Sequence, residues 1–288
     1  MKSILSIFLL LAVCIPNMGF ANTKKWCEGL NYSIAGEYLY WRADRLEQYM
    51  PVNGNFISYF QPEYDSGARV IGAVGCNCWE FAARYTYYNS NNNQQRLGAN
   101  DFLYQLRYHL NYQIVDLTFA YTFNLTPSCI KFKPFVGAKL GWLKETTDLV
   151  QLNTSKTKKF DTDAYGPTMG AEISWCIFNW CLPTSLIARA EFSALSARST
   201  FAEPFVIVTI GNPFETRAPA YSFITIQDLY IGLGFSLCGF SCAKGELQVG
   251  YEVQNWTNLY TFVGVEHEQG HLDSLGLGGL VVHLSAHF

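Results

Sequence analysis

Charge is scarce in this chain of 288 residues: Asp, Glu, Lys and Arg make up 15% of it, where a soluble domain usually has about 25%. Basic and acidic residues nearly balance, at 20 and 23, for a net charge of −3. No basic tract stands out, so nothing favours a nucleic-acid partner. Long apolar runs are missing too. The stretch from Ile4 to Val13 is too short to cross a bilayer as a helix, which excludes a helical membrane protein. There is no phosphate-binding loop and no Gly-x-Ser-x-Gly elbow, so two common routes to catalysis are absent.

What the chain has instead is aromatic residues, at 16%. Few charges with many aromatics suit a membrane barrel, greasy outside, polar inside and aromatic at both rims. The N-terminus supplies an address. Lys2 precedes the apolar run, and Pro16 and Gly19-Phe20-Ala21 follow it. This is the layout of a secretory signal peptide. The expected organisation is a signal over 1–21 and one domain over 22–288. Leu11 to Cys14 faintly resembles a lipoprotein signal, but Val13 is bulky where a small residue is needed.

The closing residues, Leu280 to Phe288, alternate. Leu280, Val282, Leu284, Ala286 and Phe288 are apolar; Val281, His283, Ser285 and His287 lie between them. Period two with one greasy face marks a strand. Ending on an aromatic residue is how outer-membrane barrels close, which makes Phe288 the expected assembly signal. Ten strands can be parsed, near 32–42, 67–75, 79–89, 104–123, 133–146, 164–175, 185–198, 224–235, 245–256 and 280–288. The fold class expected is all-β: a transmembrane antiparallel barrel of about ten strands, with eight to twelve as the range.

Charged residues recur opposite the greasy face. They are Glu37, Glu80, Arg84, Arg107, Asp116, Lys139, Arg189, Glu191, Asp228 and Glu252, with Lys144 also read onto that side. A wet interior is expected, with these ten as lining. Paired across the lumen they would plug it; facing water they would line a narrow channel. The sequence leaves both open. Two strands change phase, near Val115 and near Gln227. Either a β-bulge restores the facing there, or the upper ends stand clear of lipid and need no greasy face. Polar gaps at 43–65, 90–100, 147–163, 199–217 and 257–274 read as long external loops, alternating with short turns near 76–78, 124–132, 176–183 and 237–244. Pro204 to Ile210, PFVIVTI, is too apolar for a solvated loop. It could fold inward, meet a partner or be a further strand.

Eight of the nine cysteines lie beyond the signal: Cys27, Cys76, Cys78, Cys129, Cys176, Cys181, Cys238 and Cys242. Each falls in a short turn or before the first strand. An even number in an oxidising compartment favours disulfides. Cys76 and Cys78 are too close for a comfortable bridge with each other, so bridges to other molecules are expected. No metal or cofactor is expected. Their spacings do not match paired zinc knuckles. His267 to His271, HEQGH, matches a zinc-protease pattern, but Gly270 weakens a helix there. Ser274 and Leu277 also stand where the extended motif needs Gly and His.

Several stretches resemble the Legionella-type major outer-membrane proteins, a pore-forming family also found among chlamydia-related bacteria. They are GEYLYWRA from Gly36 to Ala43, Leu106 to Tyr108 followed by Val115 to Leu117, and KPFVGAKLGW from Lys133 to Trp142. DLYIGLGF from Asp228 to Phe235, GYEVQNW from Gly250 to Trp256 and the close from Leu275 to Phe288 complete the series. The turn cysteines depart from that pattern and are more like the cross-linked envelope proteins of chlamydiae. The resemblance implies an outer-membrane protein with a porin-like or structural duty and no catalytic residues. Its partners would be outer-membrane lipid and lipopolysaccharide, the barrel assembly machinery, and itself or other envelope proteins through disulfides. Two further classes stand beside this: an adhesin acting through its loops, and a rim hydrolase using His109, His267 or His271 with Asp101 or Asp273.

Overall fold

A computed structural model describes residues 30–45, 51–52, 55–56, 63–97, 103–125, 129–151, 154–178, 183–202, 204–205, 214–215, 219–240, 243–262 and 270–288. The signal-peptide reading lies outside them. Ten long strands form the wall: β1 (Leu30–Arg45), β2 (Tyr64–Cys76), β3 (Trp79–Leu97), β4 (Leu103–Tyr121), β5 (Ile130–Gln151), β6 (Thr154–Phe178), β7 (Thr184–Ala202), β8 (Pro219–Phe240), β9 (Ala243–Phe262) and β10 (Gly270–His287). Phe123–Leu125 prolongs β4 and pairs with the start of β5. Each strand is antiparallel to its neighbours in chain order, and β10 pairs with β1. The sheet is closed.

Closure is set by register. Ser33 pairs with His287 and Arg45 with Leu275, without a shift between. Phe288 continues the ladder past β10. Its N–H donates to the Tyr32 carbonyl at 2.8 Å, and Tyr32 N–H donates to the Phe288 carbonyl at 3.2 Å. Short connections and the C-terminus share one end of the barrel. There β2 and β3 join through Asn77 and Cys78, with Asn77 at a φ of 56°. Asn tolerates this left-handed backbone, which a tight hairpin requires.

The strands run well past the parsed bounds. β6 has 25 residues and β5 has 22, where about ten suffice to cross a bilayer. The expected loop at 147–163 is therefore mostly strand, paired from Thr146 with Lys159 to Gln151 with Thr154. Most of the expected loop at 90–100 is strand as well, paired with β4 through Leu97 and Leu103. Their polar composition reflects water on the outer face. Of the apolar loop segment, Pro204–Phe205 pairs with Phe214–Glu215, and 206–213 lies outside the described residues.

Outward side chains form an apolar belt that includes Val136, Met169, Leu229, Ile231 and Leu284, each more than half exposed. At the turn end Trp79 stacks on Phe119 and meets Tyr121 edge-on, with centroids 4.8 and 4.6 Å apart. Toward the loop end Tyr40 stacks on Tyr64 at 5.1 Å. Two aromatic groups bounding a greasy belt are the outer profile of a membrane barrel.

Neither phase change is a β-bulge. β4 keeps continuous register with β3 and β5 through Val115, and β8 does so with β7 and β9 through Gln227. The even-numbered residues face inward along both strands: Tyr108, Leu110, Tyr112 and Ile114 on β4, Ile224 and Ile226 on β8, all buried. The apolar set changes face because the wall's surroundings change, not its register. Register shifts occur instead near the turn end, at Thr184–Ser185 between β7 and β6 and at Leu237–Phe240 between β8 and β9, and toward the loop end on β9. On β9 the pairing steps from Trp256–Leu275 to Leu259–Asp273, with Asn258 at a φ of 64°. The extra residue turns Leu259, an odd-numbered position, into the interior beside Trp256.

If the terminal pairing with Tyr32 completes closure, deleting Phe288 should leave little folded barrel in cells. Heat-modifiable mobility of outer-membrane extracts on gels checks this; normal folded yield would count against it.

Candidate functional site

The interior is the one region where side chains from all ten strands converge, and it divides into three levels. At the turn end the inward residues are polar and partly exposed. Asn31, Ser33, Glu80, Thr122 and His287 border a small pocket there, and Lys133 Nζ lies 2.8 Å from Glu80 Oε1.

Above this is a buried ionic level. Arg69 on β2 is 1% exposed. Its guanidinium holds Glu37 Oε2 at 2.5 Å and Glu252 at 2.8 and 2.9 Å, and its Nε donates to Thr86 Oγ1 at 2.9 Å. Arg84 on β3 spans Asp116 and Glu191, both at 2.8 Å. Lys139 on β5 reaches the same two carboxylates, Glu191 at 2.5 Å and Asp116 at 3.2 Å. Arg189 on β7 lies 3.5 Å from Glu252 and 5.5 Å over the Tyr230 ring. Glu37 also meets His283 Nδ1 at 2.9 Å. The bidentate grip of Arg69 on Glu252 is the strong geometry for a guanidinium and a carboxylate.

Five carboxylates thus face four permanent cations, and the fifth is Asp228. It is 1% exposed. Its Oδ2 accepts from Gln254 Nε2 at 2.9 Å, while Oδ1 has no hydrogen-bond partner among the described residues. Asp228 makes no ion pair within 4 Å there. Gln254 connects the ionic level to the one above, since its Oε1 accepts from Tyr112 at 2.5 Å.

The third level is mainly apolar, with Glu145, Ser90 and Asn92 also buried in it. Leu39, Trp41, Tyr88, Leu110, Tyr112, Ile114, Leu143, Leu195, Ile224, Ile226, Trp256, Leu259, Leu275 and Leu277 form a buried core inside the wall. Trp41 and Trp256 sit on either side of Tyr112, with centroid separations of 6.3 and 5.6 Å. The Tyr88 hydroxyl donates to the Trp41 carbonyl at 2.9 Å, and Arg69 lies 5.4 Å from the Trp41 ring. Gly141 makes room for the second indole: a Cβ there would stand 3.0 Å from Trp256.

Of the two arrangements left open by the charge pattern, the buried ion pairs resemble the paired one. Among the ten residues expected to line the interior, Arg107 is exposed on the outer face of β4, because the inward positions of that strand are the even ones. Lys144 is likewise outward on β5. Glu80 belongs to the turn-end level. The other eight stand together in the ionic level. Thr86, Tyr112, Thr168, Gln254, His283, Trp41 and Trp256 complete the interior and were not singled out. Phase is the signal for five of them: Trp41, Thr86, Tyr112, Gln254 and Trp256 share the parity of a buried charge on their own strand, while Thr168 and His283 have no such neighbour.

Cys76 is disulfide-bonded, while Cys78, Cys129 and Cys176 are free within the chain. The Cys76 bridge therefore does not run to Cys78. These four and the backbone of Cys238 lie at the turn end. Cys27, Cys181 and Cys242 lie outside the described residues. His109 points outward from β4 and is exposed. Asp101 and His267 are outside the described residues, and for His271 and Asp273 only the backbone is described. The described residues hold no cluster of three or more His, Cys, Asp or Glu able to bind a metal.

A closed all-strand wall, an apolar belt and polar ends lead to a comparison with known proteins. The family described as Legionella pneumophila major outer membrane protein precursor matches over residues 25–288. The chain belongs to this family. It is an integral outer-membrane protein. No curated protein matches. Among solved structures, the outer membrane protease OmpT of Escherichia coli aligns with a TM-score of 0.50 at 9% identity, over 91% of this chain and 97% of that one. A major outer membrane protein of Thermus thermophilus aligns with a TM-score of 0.38 at 8% identity, over 91% and 100%. The likeness to OmpT is one of fold.

The ionic level generates a contrast for this Legionella-family barrel. Glu252→Gln leaves Arg69 and Arg189 short of a buried counter-charge and should cost about 3–5 kcal/mol. Asp228→Asn keeps an acceptor for Gln254 and removes the unpaired charge, so stability should hold or rise. Guanidinium unfolding midpoints in detergent compare the two; equal losses would contradict the assignment.

Proposed function

We propose that this barrel is a structural component of the outer membrane whose interior is sealed, rather than an open pore for small solutes. The observation that carries this reading is the double seal inside the wall. The ionic level crosses the lumen from Arg69 and Glu37 to Glu191 and Lys139, all buried. The apolar core above it takes Trp41, Tyr88, Tyr112, Leu143, Ala164, Leu195, Ile226, Trp256 and Leu277 from nine strands. Water and ions need a continuous polar path to cross, and the buried apolar side chains of this level stand across one. A barrel of this size is narrow enough for side chains to fill.

A rim thiol supports the structural role. Cys78, free within the chain at the turn end, is placed to join a neighbouring molecule in an oxidising compartment. The rim-hydrolase reading loses one of its residues, since the His109 side chain faces outward, away from the lumen.

Single-channel recording of the refolded protein in a planar bilayer tests the seal. The wild type should give no stable open level. Trp41→Ala with Trp256→Ala, which hollows the core while keeping the ladder, should give frequent open events. A stable ohmic conductance from the wild type would overturn the sealed-barrel reading.

A further inference from the structure

We propose that Cys129 and Cys176 form an intramolecular disulfide across the open end of the β5–β6 pair. The two strands are in register from Gln151–Thr154 to Ile130–Trp175, which sets Cys129 opposite Cys176. The backbone agrees with the placement: Cys176 N–H donates to the Cys129 carbonyl at 3.3 Å. This is one further rung of the ladder. Directly opposed residues in such a hydrogen-bonded antiparallel pair have Cα atoms about 5.5 Å apart. That falls inside the ~4.4–6.8 Å range that a disulfide spans.

Both thiols are free within the chain. Cys129 is exposed and Cys176 half-buried, so an oxidant can reach them. Cys129 has a φ of 52°, so the chain turns away from the strand at this last rung. Its backbone is already bent where the bridge closes. Bridging requires Cys176 to leave its present rotamer, in which Sγ lies 3.7 Å from the Phe178 carbonyl oxygen. A single χ1 change at a half-exposed side chain is a small adjustment.

The oxidant is a disulfide-bearing protein or small thiol oxidant of the periplasm. One cysteine, as thiolate, attacks the oxidant's S–S bond and releases one of its sulfurs as thiolate. The second cysteine, as thiolate, then attacks the mixed disulfide and releases the other. One S–S bond forms in the barrel and one breaks in the oxidant. The two thiol protons end on the oxidant's sulfurs. The barrel thiols are oxidised and the oxidant is reduced to a dithiol.

The bridge fixes the end of β6 to that of β5 at the periplasmic rim. It also withdraws two thiols from contact with other molecules. Cys78 is then the free thiol left for a partner among the cysteines whose side chains are described. The inference rests on the outer-membrane location and on local register. It does not depend on whether the lumen conducts.

The test uses native envelopes trapped with N-ethylmaleimide. Monomer and oligomer bands from a non-reducing gel are digested with trypsin and chymotrypsin together. Cys176 and Cys181 share a tryptic peptide, and cleavage after Phe178 or Trp180 separates them. A peptide pair joining Cys129 to Cys176 is expected in the monomer band and should vanish on reduction. In a folded, heat-modifiable Cys129→Ser variant, Cys176 should gain the alkyl label. The proposal fails if both cysteines carry the label in the wild type, or if either is joined to another cysteine. It also fails if the pair appears in oligomer bands alone, or if Cys176 stays unlabelled in the variant.

Discussion

The pairing of the first strand with the last is the constraint on which the rest depends. In a bilayer, an unpaired N–H or carbonyl costs several kcal/mol, so a sheet must close. Closure here also fixes which residues meet. The register that pairs Phe288 with Tyr32 by two backbone bonds pairs Glu37 with His283 and with Arg69 on the other side. Slipping one residue would turn every side chain of β10 to the opposite face. Leu277 and Leu275 would leave the core, and His283 would point into lipid. The interior is complementary because the seam is.

With that seam fixed, the interior must balance two opposing terms. Burying an ion costs several kcal/mol even after relaxation, and a carboxylate–guanidinium pair repays this only when its remaining hydrogen bonds are met. Arg69 meets the condition through Glu37, Glu252 and Thr86. Glu191 does so through Arg84, Lys139 and Thr168. The apolar level adds about 1.5–3 kcal/mol for each large side chain it buries. The ionic level dictates which charges lie opposite one another; the upper level adds apolar burial around a few buried polar side chains, Glu145 among them, which accepts from the Tyr108 hydroxyl at 3.4 Å. Their contact at Gln254, Tyr112 and Trp41 makes them one packed unit.

Much of this was legible where lipid makes the selection. Along β7, Leu186, Ala188, Ala190 and Phe192 alternate with Arg189 and Glu191, and the facing follows directly. β1, β3 and β9 behave in the same way through their lower halves. Legibility fails where the wall leaves the hydrocarbon. There the outer face meets water and the inner face is dry, so the same period-two signal has the opposite meaning. Arg107 was misplaced for this reason, and Tyr104 to Ile114 looked like a lipid face. The polar run at 147–163 read as a loop because a strand with water outside is half polar. The β9 bulge had a weaker trace: Asn258 is a residue type that tolerates the left-handed backbone such an irregularity uses.

The phase switches at Val115 and Gln227 therefore locate a boundary. Below them the barrel is arranged as membrane proteins are, with apolar residues outside and charges within. Above them it is arranged as a soluble barrel, with Arg107 and Lys144 outside and Leu110, Ile114, Ile224 and Ile226 within. Asp116 and Asp228, one on each switching strand, stand next to the transition and mark the top of the ionic level. Two solvents act on one continuous sheet, and unbroken register on β4 and β8 satisfies both. On the proposed reading, the upper core seals the lumen outside the hydrocarbon. The ionic level then has water excluded from above by the core and from the sides by the wall. That exclusion gives its ion pairs their strength and makes an unpaired carboxylate such as Asp228 costly.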